Sequence, residues 1–319
     1  DEIRITPASG VLTNLTVSAS TIGPNSATTG GNGITLLGTG SATGTLTVTG
    51  TLFNGIRAAA VLSNFSSTGS HTVNVTGSTF RDNGKGVSLA NNVSTDMTFN
   101  VTGNLEVVRS ASNALELLTS FDATPSMLNS GTIGNNVVGN GAADSGSATL
   151  HGIAIDLRGD ERSVLAVNGN SVRNVDFNGI FLQDADFGSL GGSPSDADLT
   201  VRDNSIQNID DNSGFPCGAP YGILVDMRNT TTACLDMFSN TSAESPQSCG
   251  AAHIRLRQRD TSTFQLERLS DGDGTPGELI NTVATVQAHV VAENDAGTTA
   301  NVTLVSGFTE AATGTCVKP

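Results

Sequence analysis

The chain has no tryptophan and a single tyrosine, and among its 15 basic residues only Lys85 and Lys318 are lysines. Nucleic acid and anionic membrane both want clustered Lys and Arg, so 30 acidic against 15 basic residues, a formal charge of −15, argues against either as a partner. No apolar run reaches the roughly 18 residues of a membrane-spanning helix, so no segment is read as a membrane span. Helix formers are scarce until near the end, whereas the 37 glycines and the abundant Thr, Ser, Asn and Val suit strands joined by tight turns. The four histidines, His71, His151, His253 and His289, are too far apart for metal-ligand spacing. Cysteine occurs only at 217, 234, 249 and 316, without C-x-x-C, which favours disulfides over zinc and an extracellular or cell-surface location.

What is present is a repeat. A six-residue phrase reading apolar, any, small, Asn or Ser/Thr, any, apolar opens at Val17, Val48, Val75, Val101, Ile133, Val167, Val201 and Met237, at intervals of 26 to 36 residues. That is a solenoid period. Its fourth position carries Ser20, Thr51, Ser78, Asn104, Asn136, Asn170, Asn204 and Asn240, a predicted ladder in which Asn occupies a left-handed turn and bonds the equivalent amide of the next coil. A second landmark, small residue then apolar, any, apolar, returns as Gly33-Ile34-Thr35-Leu36, Gly86-Val87-Ser88-Leu89, Gly152-Ile153-Ala154-Ile155, Gly179-Ile180-Phe181-Leu182 and Gly222-Ile223-Leu224-Val225. Two-residue alternation is a strand. A third strand, such as Leu165-Ala166-Val167, leads into each Asn turn.

Three short strands per unit and one polar turn ladder predict an all-β fold, a right-handed parallel β-helix of about eight coils over residues 1–260. The opening residues of the phrase stack inward as one column. Residues 261–319 read as a C-terminal cap of strand, amphipathic helix (about Glu278 to Glu293), strand and tail. Residues 1–10 read as an extended lead-in, and residues 1–15 are expected to self-associate with a neighbour head to tail. Coil register pairs Cys217 with Cys249, at equivalent loop positions of neighbouring coils, leaving Cys234 for Cys316.

These paired phrases resemble the coils of pectate-lyase-like β-helix proteins, especially the large secreted repeat proteins of bacterial surfaces, over roughly residues 11 to 260. Arg255-Leu256-Arg257-Gln258-Arg259, followed by a Gly/Asp turn and a short helix, is similar to the ending of such surface proteins. The resemblance implies the fold and a secreted setting; the fold hosts lyases, hydrolases, tailspikes and adhesins alike. The polygalacturonase-like signature is not met: His151-Gly152 precedes Asp210-Asp211, and its first and last motifs are missing.

Candidate chemistry lies at the end of the second landmark. Asp156, Gln183, Asp226 and Arg257 share one register, and Arg158, Ala185, Arg228 and Arg259 another, near one sheet edge. In an enzyme, Asp156 and Asp226, two coils apart, with Arg228, would be the catalytic set; the plainer reading is surface ion pairs of small value. No cofactor is implied except calcium, for which the acidic-loop candidates are Asp184 and Asp186, and Asp271 and Asp273 in the turn before the helix. Thr in alternate positions suggests ice binding. Positions equivalent to Thr47 and Thr49 become Asn74, Thr76, Asn100, Thr102, Ala166, Asn168, Thr200 and Arg202, so the array is expected to break. The functional reading is an extracellular structural or adhesive solenoid, filament-forming or surface-presenting, with a surface or carbohydrate ligand. A polysaccharide-active lyase or hydrolase is the alternative and an ice-binding protein the third reading.

Overall fold

The computed structural model describes residues 1–24, 31–92, 94–185, 195–209, 220–242, 253–267, 283–294, 302–305, 307–312 and 314–319. The chain coils as a right-handed parallel β-helix with three sheets, each joining one strand from successive rungs. Rung 1 comprises Ile3–Ile5, Val11–Ser18 and Thr21–Ile22; rung 2, Ile34–Gly40, Thr43–Thr49 and Leu52–Asn54; rung 3, Ala59–Ser67, Ser70–Thr76 and Thr79–Arg81; rung 4, Lys85–Asn91, Asp96–Thr102 and Glu106–Val108. Rung 5 comprises Leu115–Thr119, Leu128–Gly134 and Val137–Val138; rung 6, Ile153–Leu157, Arg162–Asn168 and Ser171–Val175; rung 7, Ile180–Asp184, Asp196–Arg202 and Ser205–Ile209; rung 8, Ile223–Met227, Thr232–Phe238 and Thr241–Ser242. Rung 9 has Ile254–Gln258 and Thr263–Glu267, then the helix Val283–Glu293; rung 10 has Val302–Val305 and Phe308–Ala311.

Eight rungs are thus complete, as the sequence phrase predicts, and two more extend the first and second sheets. The segment read as a cap therefore supplies strands to the solenoid as well as its helix. The residues read as a lead-in hold a strand too: Ile3–Ile5 pairs in parallel with Ile34, Thr35 and Leu36.

Inward positions repeat without a gap. Val17, Val48, Val75, Val101, Ile133, Val167, Val201 and Met237 face one another in register, and each is buried. The first sheet has its own column, Ile34, Val61, Val87, Leu115, Ile153, Ile180, Ile223 and Ile254. Each such side chain is worth about 1.5–3 kcal/mol of burial, and a rung gains it only from its neighbours. The Gly that opens the second landmark has a steric reason: a Cβ at Gly179 would lie 2.7 Å from the Gly222 carbonyl oxygen of the next rung.

At the turn between second and third sheets the left-handed residue is the small one before the Asn. Ala19, Gly50, Gly77, Gly103, Asn135, Gly169, Asp203 and Ser239 have φ between 45° and 65°. This corrects the expectation that the column Asn itself adopts that conformation. Its side chain turns inward instead: the Asn136 backbone N–H and Nδ2 both donate to Asn170 Oδ1, at 3.0 Å each, and Nδ2 also donates to the Val101 carbonyl at 2.8 Å. Asn104, Asn170, Asn204 and Asn240 repeat the pattern. The acceptor for Asn240 is Asn294, immediately after the helix, so the helix takes the third strand's place in rung 9 and brings a further amide to the ladder. Val286 and Val290 of this helix are buried in the core.

Candidate functional site

The outward face of the first sheet gathers the reactive residues. Alternation sends Ile223, Val225 and Met227 inward and leaves Leu224 and Asp226 on the outside; the same parity places Ala154 and Asp156, Phe181 and Gln183, and Arg255 and Arg257 in adjacent rungs. Asp156, Gln183, Asp226 and Arg257 do form one register column.

Asp226 is fully buried, and three guanidinium groups close on it. Arg257 binds bidentately, Nε to Oδ1 at 2.7 Å and Nη2 to Oδ2 at 2.6 Å. Arg228 Nε reaches Oδ2 at 2.7 Å and Arg259 Nη2 reaches it at 3.2 Å. The expected surface ion pairs of small value are thus a buried cluster at Asp226, where charge-assisted bonds are strong and removing one partner is costly. Burial pushes the Arg257 guanidinium below its ordinary pKa, an effect the Asp226 carboxylate opposes. Asp156, two rungs away, pairs with Arg158, whose Nε lies 2.8 Å from Oδ2, and accepts Gln183 Nε2 at 2.8 Å on Oδ1. Arg255 stacks over the Tyr221 ring with 5.0 Å to its centroid and donates to its hydroxyl. With its oxygens filled by guanidinium donors, Asp226 holds the three arginines in place.

The other candidates fall elsewhere. Asp184 points inward at 1 % exposure, and its Oδ1 accepts Ser195 Oγ at 2.8 Å and Thr231 Oγ1 at 3.3 Å. It is a core carboxylate, not a loop acid. Asp186, Asp271 and Asp273 lie outside the described residues, as do Cys217 and Cys249. Cys234 and Cys316 form a disulfide with Cα atoms 5.3 Å apart. It belongs to a larger docking of the tail on the outer face of the second sheet. Glu267 accepts the Gly314 and Cys316 N–H groups at 2.7 Å each, Asp198 accepts the Val317 N–H at 3.0 Å, and Lys318 Nζ sits 3.0 Å from Asp236. Asp196 and Asp198 are both strand residues. Burial pushes the Asp198 carboxyl up, partly offset by its bond from Val317.

In rungs 2 to 5 of the same sheet three outward columns form a grid: Thr45, Thr47, Thr49; Thr72, Asn74, Thr76; Thr98, Asn100, Thr102; Ser130, Thr132, Gly134. No position in these three columns is charged; the fourth outward column carries one carboxylate, Asp96, in register with Ser70. The expected break is real, but it comes at rung 6, where Val164 and Ala166 enter the columns; following Thr47 and Thr49 alone misses the column Thr45, Thr72, Thr98.

Sequence reasoning also missed the Glu116 cluster, whose partners Lys85, Ser88 and Asn113 are scattered over 31 residues of chain. The scarcity of lysine was the one signal that pointed to Lys85. No protein-family model matches the chain, and neither a curated protein nor a solved structure does.

Proposed function

We propose that the chain is an extracellular, non-catalytic β-solenoid in a structural or adhesive role, presenting its sheet faces to a surface or carbohydrate ligand. Its coils resemble those of pectate-lyase-like and bacterial surface β-helix proteins, and a disulfide fits an oxidising compartment. The observation that carries the reading is the state of Asp226: the best-placed acid on the first sheet is buried beneath three arginines. Head-to-tail self-association, with residues 1–15 against a neighbour, is part of the proposal. The test is release of product from acidic and neutral polysaccharides by wild type and Asp156→Asn, alongside light scattering at high concentration. Turnover that Asp156→Asn abolishes in a folded protein would overturn the non-catalytic reading, and a strict monomer would remove the filament.

The uncharged grid favours a second reading, recognition of an ordered water lattice. Its rows repeat at about 4.8 Å between rungs and about 6.7 Å along a strand, and β-branched threonines hold their hydroxyls in few rotamers. It carries no aromatic ring for a sugar to stack on. Ice shaping by the wild type that Asn100→Tyr abolishes is the expected result under this reading; growth of unmodified ice crystals rejects it.

A further inference from the structure

The Asp226 cluster is unbalanced in charge. Arg81, Arg109 and Arg158 each meet a carboxylate of their own, Glu106, Asp82 and Asp156. On the outer face of the first sheet in rungs 8 and 9, by contrast, Arg228, Arg257 and Arg259 share the single carboxylate of Asp226. Arg255 stands two residues before Arg257 on the same face of the same strand, about 6.7 Å along it. Four guanidinium groups against one carboxylate leave three positive charges in one place, on a chain of net −15.

Donors outnumber acceptors there as well. Asp226 Oδ1 takes one nitrogen, Arg257 Nε, whereas Oδ2 is approached by Arg257 Nη2, by Arg228 through both Nε and Nη2, and by Arg259 Nη2 at 3.2 Å. A carboxylate oxygen with two lone pairs cannot serve four nitrogens in good geometry. Each guanidinium carries five N–H donors. Among the described residues the Nη1 groups of Arg228, Arg257 and Arg259 meet no acceptor, and neither do the buried Nε groups of Arg255 and Arg259. The crowding also reaches Arg257 electrically: burial pushes its pKa down, Asp226 opposes this, and the charges of Arg255 and Arg228 add to the fall.

The cluster is open on one side. Asp226 is fully buried, while the side chains of Arg228, Arg257 and Arg259 are 26, 19 and 33 % exposed. The carboxylate beneath fixes the arginines, so they lose less freedom when something binds above them. What would complete the site is an anion with several acceptor oxygens. A carboxylate brings two. A sulfate or phosphate monoester brings three on a tetrahedral centre, which suits three guanidinium groups drawn together from two rungs. The acidic remainder of the chain repels a long polyanion, so the ester is one carried singly.

We propose that the arginines around Asp226 are a binding site for a sulfate or phosphate monoester, contacted by Arg228, Arg257 and Arg259 and attracted by Arg255 as well. The site deepens the surface- or carbohydrate-binding reading, on which it rests for the body of the ligand, by naming the group that is recognised. Calorimetry on the whole chain with glucose 6-sulfate, glucose 6-phosphate, glucuronate, glucose and inorganic sulfate tests it. Both esters are expected to bind, glucuronate about tenfold more weakly or worse, and glucose not at all; the tighter ester identifies the source. Inorganic sulfate bound as tightly as the esters would uphold the oxyanion site while withdrawing its support from the carbohydrate reading, so the two fail separately. Arg259→Gln gives up only the 3.2 Å bond and leaves the bidentate Arg257 pair; it should weaken ester binding about tenfold, the loss of one charge-assisted bond. Arg81→Gln, the same loss of charge on the third sheet, should leave it unchanged. No binding of either ester at millimolar concentration, glucuronate bound as tightly as the esters, or an equal change in the two variants overturns the site.

Discussion

The second sheet has two halves that share their strand register and differ outside it. In rungs 2 to 5 three columns of its outer face make a partly exposed grid of Thr, Asn and Ser, with Asp96 at the edge as the one charged outward residue of these strands. In rungs 7 to 9 the same columns hold Asp198, Asp236 and Glu267, all buried, with the tail fastened over them by a disulfide. The inward column Leu46, Val73, Phe99 of one half continues as Leu199, Leu235, Leu266 in the other, with Gly131 between them where the Phe99 ring takes the space. The contrast teaches that inward residues and turns specify a β-helix, while outward ones are free to diverge rung by rung.

Breaking the covered half should have the largest effect. Cys316→Ser removes a closure spanning 82 residues, which the chain-entropy model values at about 4.5 kcal/mol. Chemical denaturation should show that loss, and hydrogen exchange should rise in residues 314–319 while rungs 2 to 5 stay protected; an unchanged midpoint would mean that the carboxylates hold the tail alone.

Acid attacks the interior. His71, packed inward beneath the open grid against Phe65, and His151, stacked on Phe181, are each driven down to about 3 from 6.5 by burial. For His71 a backbone contact at Asp96 opposes this in part. The unfolded chain takes up these protons first, so the stability they contribute is complete above pH 6.5 and is lost as pH falls toward 3. At pH 5 the loss is about 2 kcal/mol per histidine. His71→Phe, which preserves the ring stack, should flatten the melting profile across that window; a slope that stays as steep would place the acid sensitivity elsewhere.

The Asn ladder sharpens the comparison at a smaller scale. Asn170→Ala leaves the Asn136 N–H and the Ile133 carbonyl without their bonds and should lower stability by about 1–3 kcal/mol. Ser78→Ala, below the open half, removes the acceptor for one N–H and one donor and should cost about 1 kcal/mol. Equal melting points for the two would deny the amide column its special strength. Smallest of all, Thr98→Lys on the exposed grid should change stability by less than about 0.5 kcal/mol, whatever it does to binding.

The sequence made the solenoid legible because inward valines and turn asparagines recur at nearly fixed spacing. Where recurrence fails, so does the reading. Asn294 stands 54 residues beyond Asn240, after a helix, and cannot be seen as a ladder member by counting. Ile3–Ile5 lacks the glycine that precedes Ile34, Val87, Ile153, Ile180 and Ile223 in the first sheet. Asp226 was visible as a residue in register with Arg257, but its burial was not, since outward side chains are normally wet in a sheet with one solvated face. In the Glu116 cluster only Ser88 shares the register; Lys85 and Asn113 join it by contacts that leave no periodic trace.

The amide ladder also has a direction. From amide to amide, each Asn from Asn104 to Asn240 donates one Nδ2–H to the side-chain oxygen of the following rung, while Nδ2 also reaches back to a carbonyl of the preceding rung, Val75, Val101, Ile133, Val167 and Val201 in turn. The row is a polarised wire along the rod, in which each bond strengthens the next. Its two ends ask for different things. At the low-number end any backbone N–H completes it, as Ser78 does on Asn104, whereas the high-number end must be handed an oxygen. The helix makes that delivery through Asn294, after which the first and second sheets run on into rung 10.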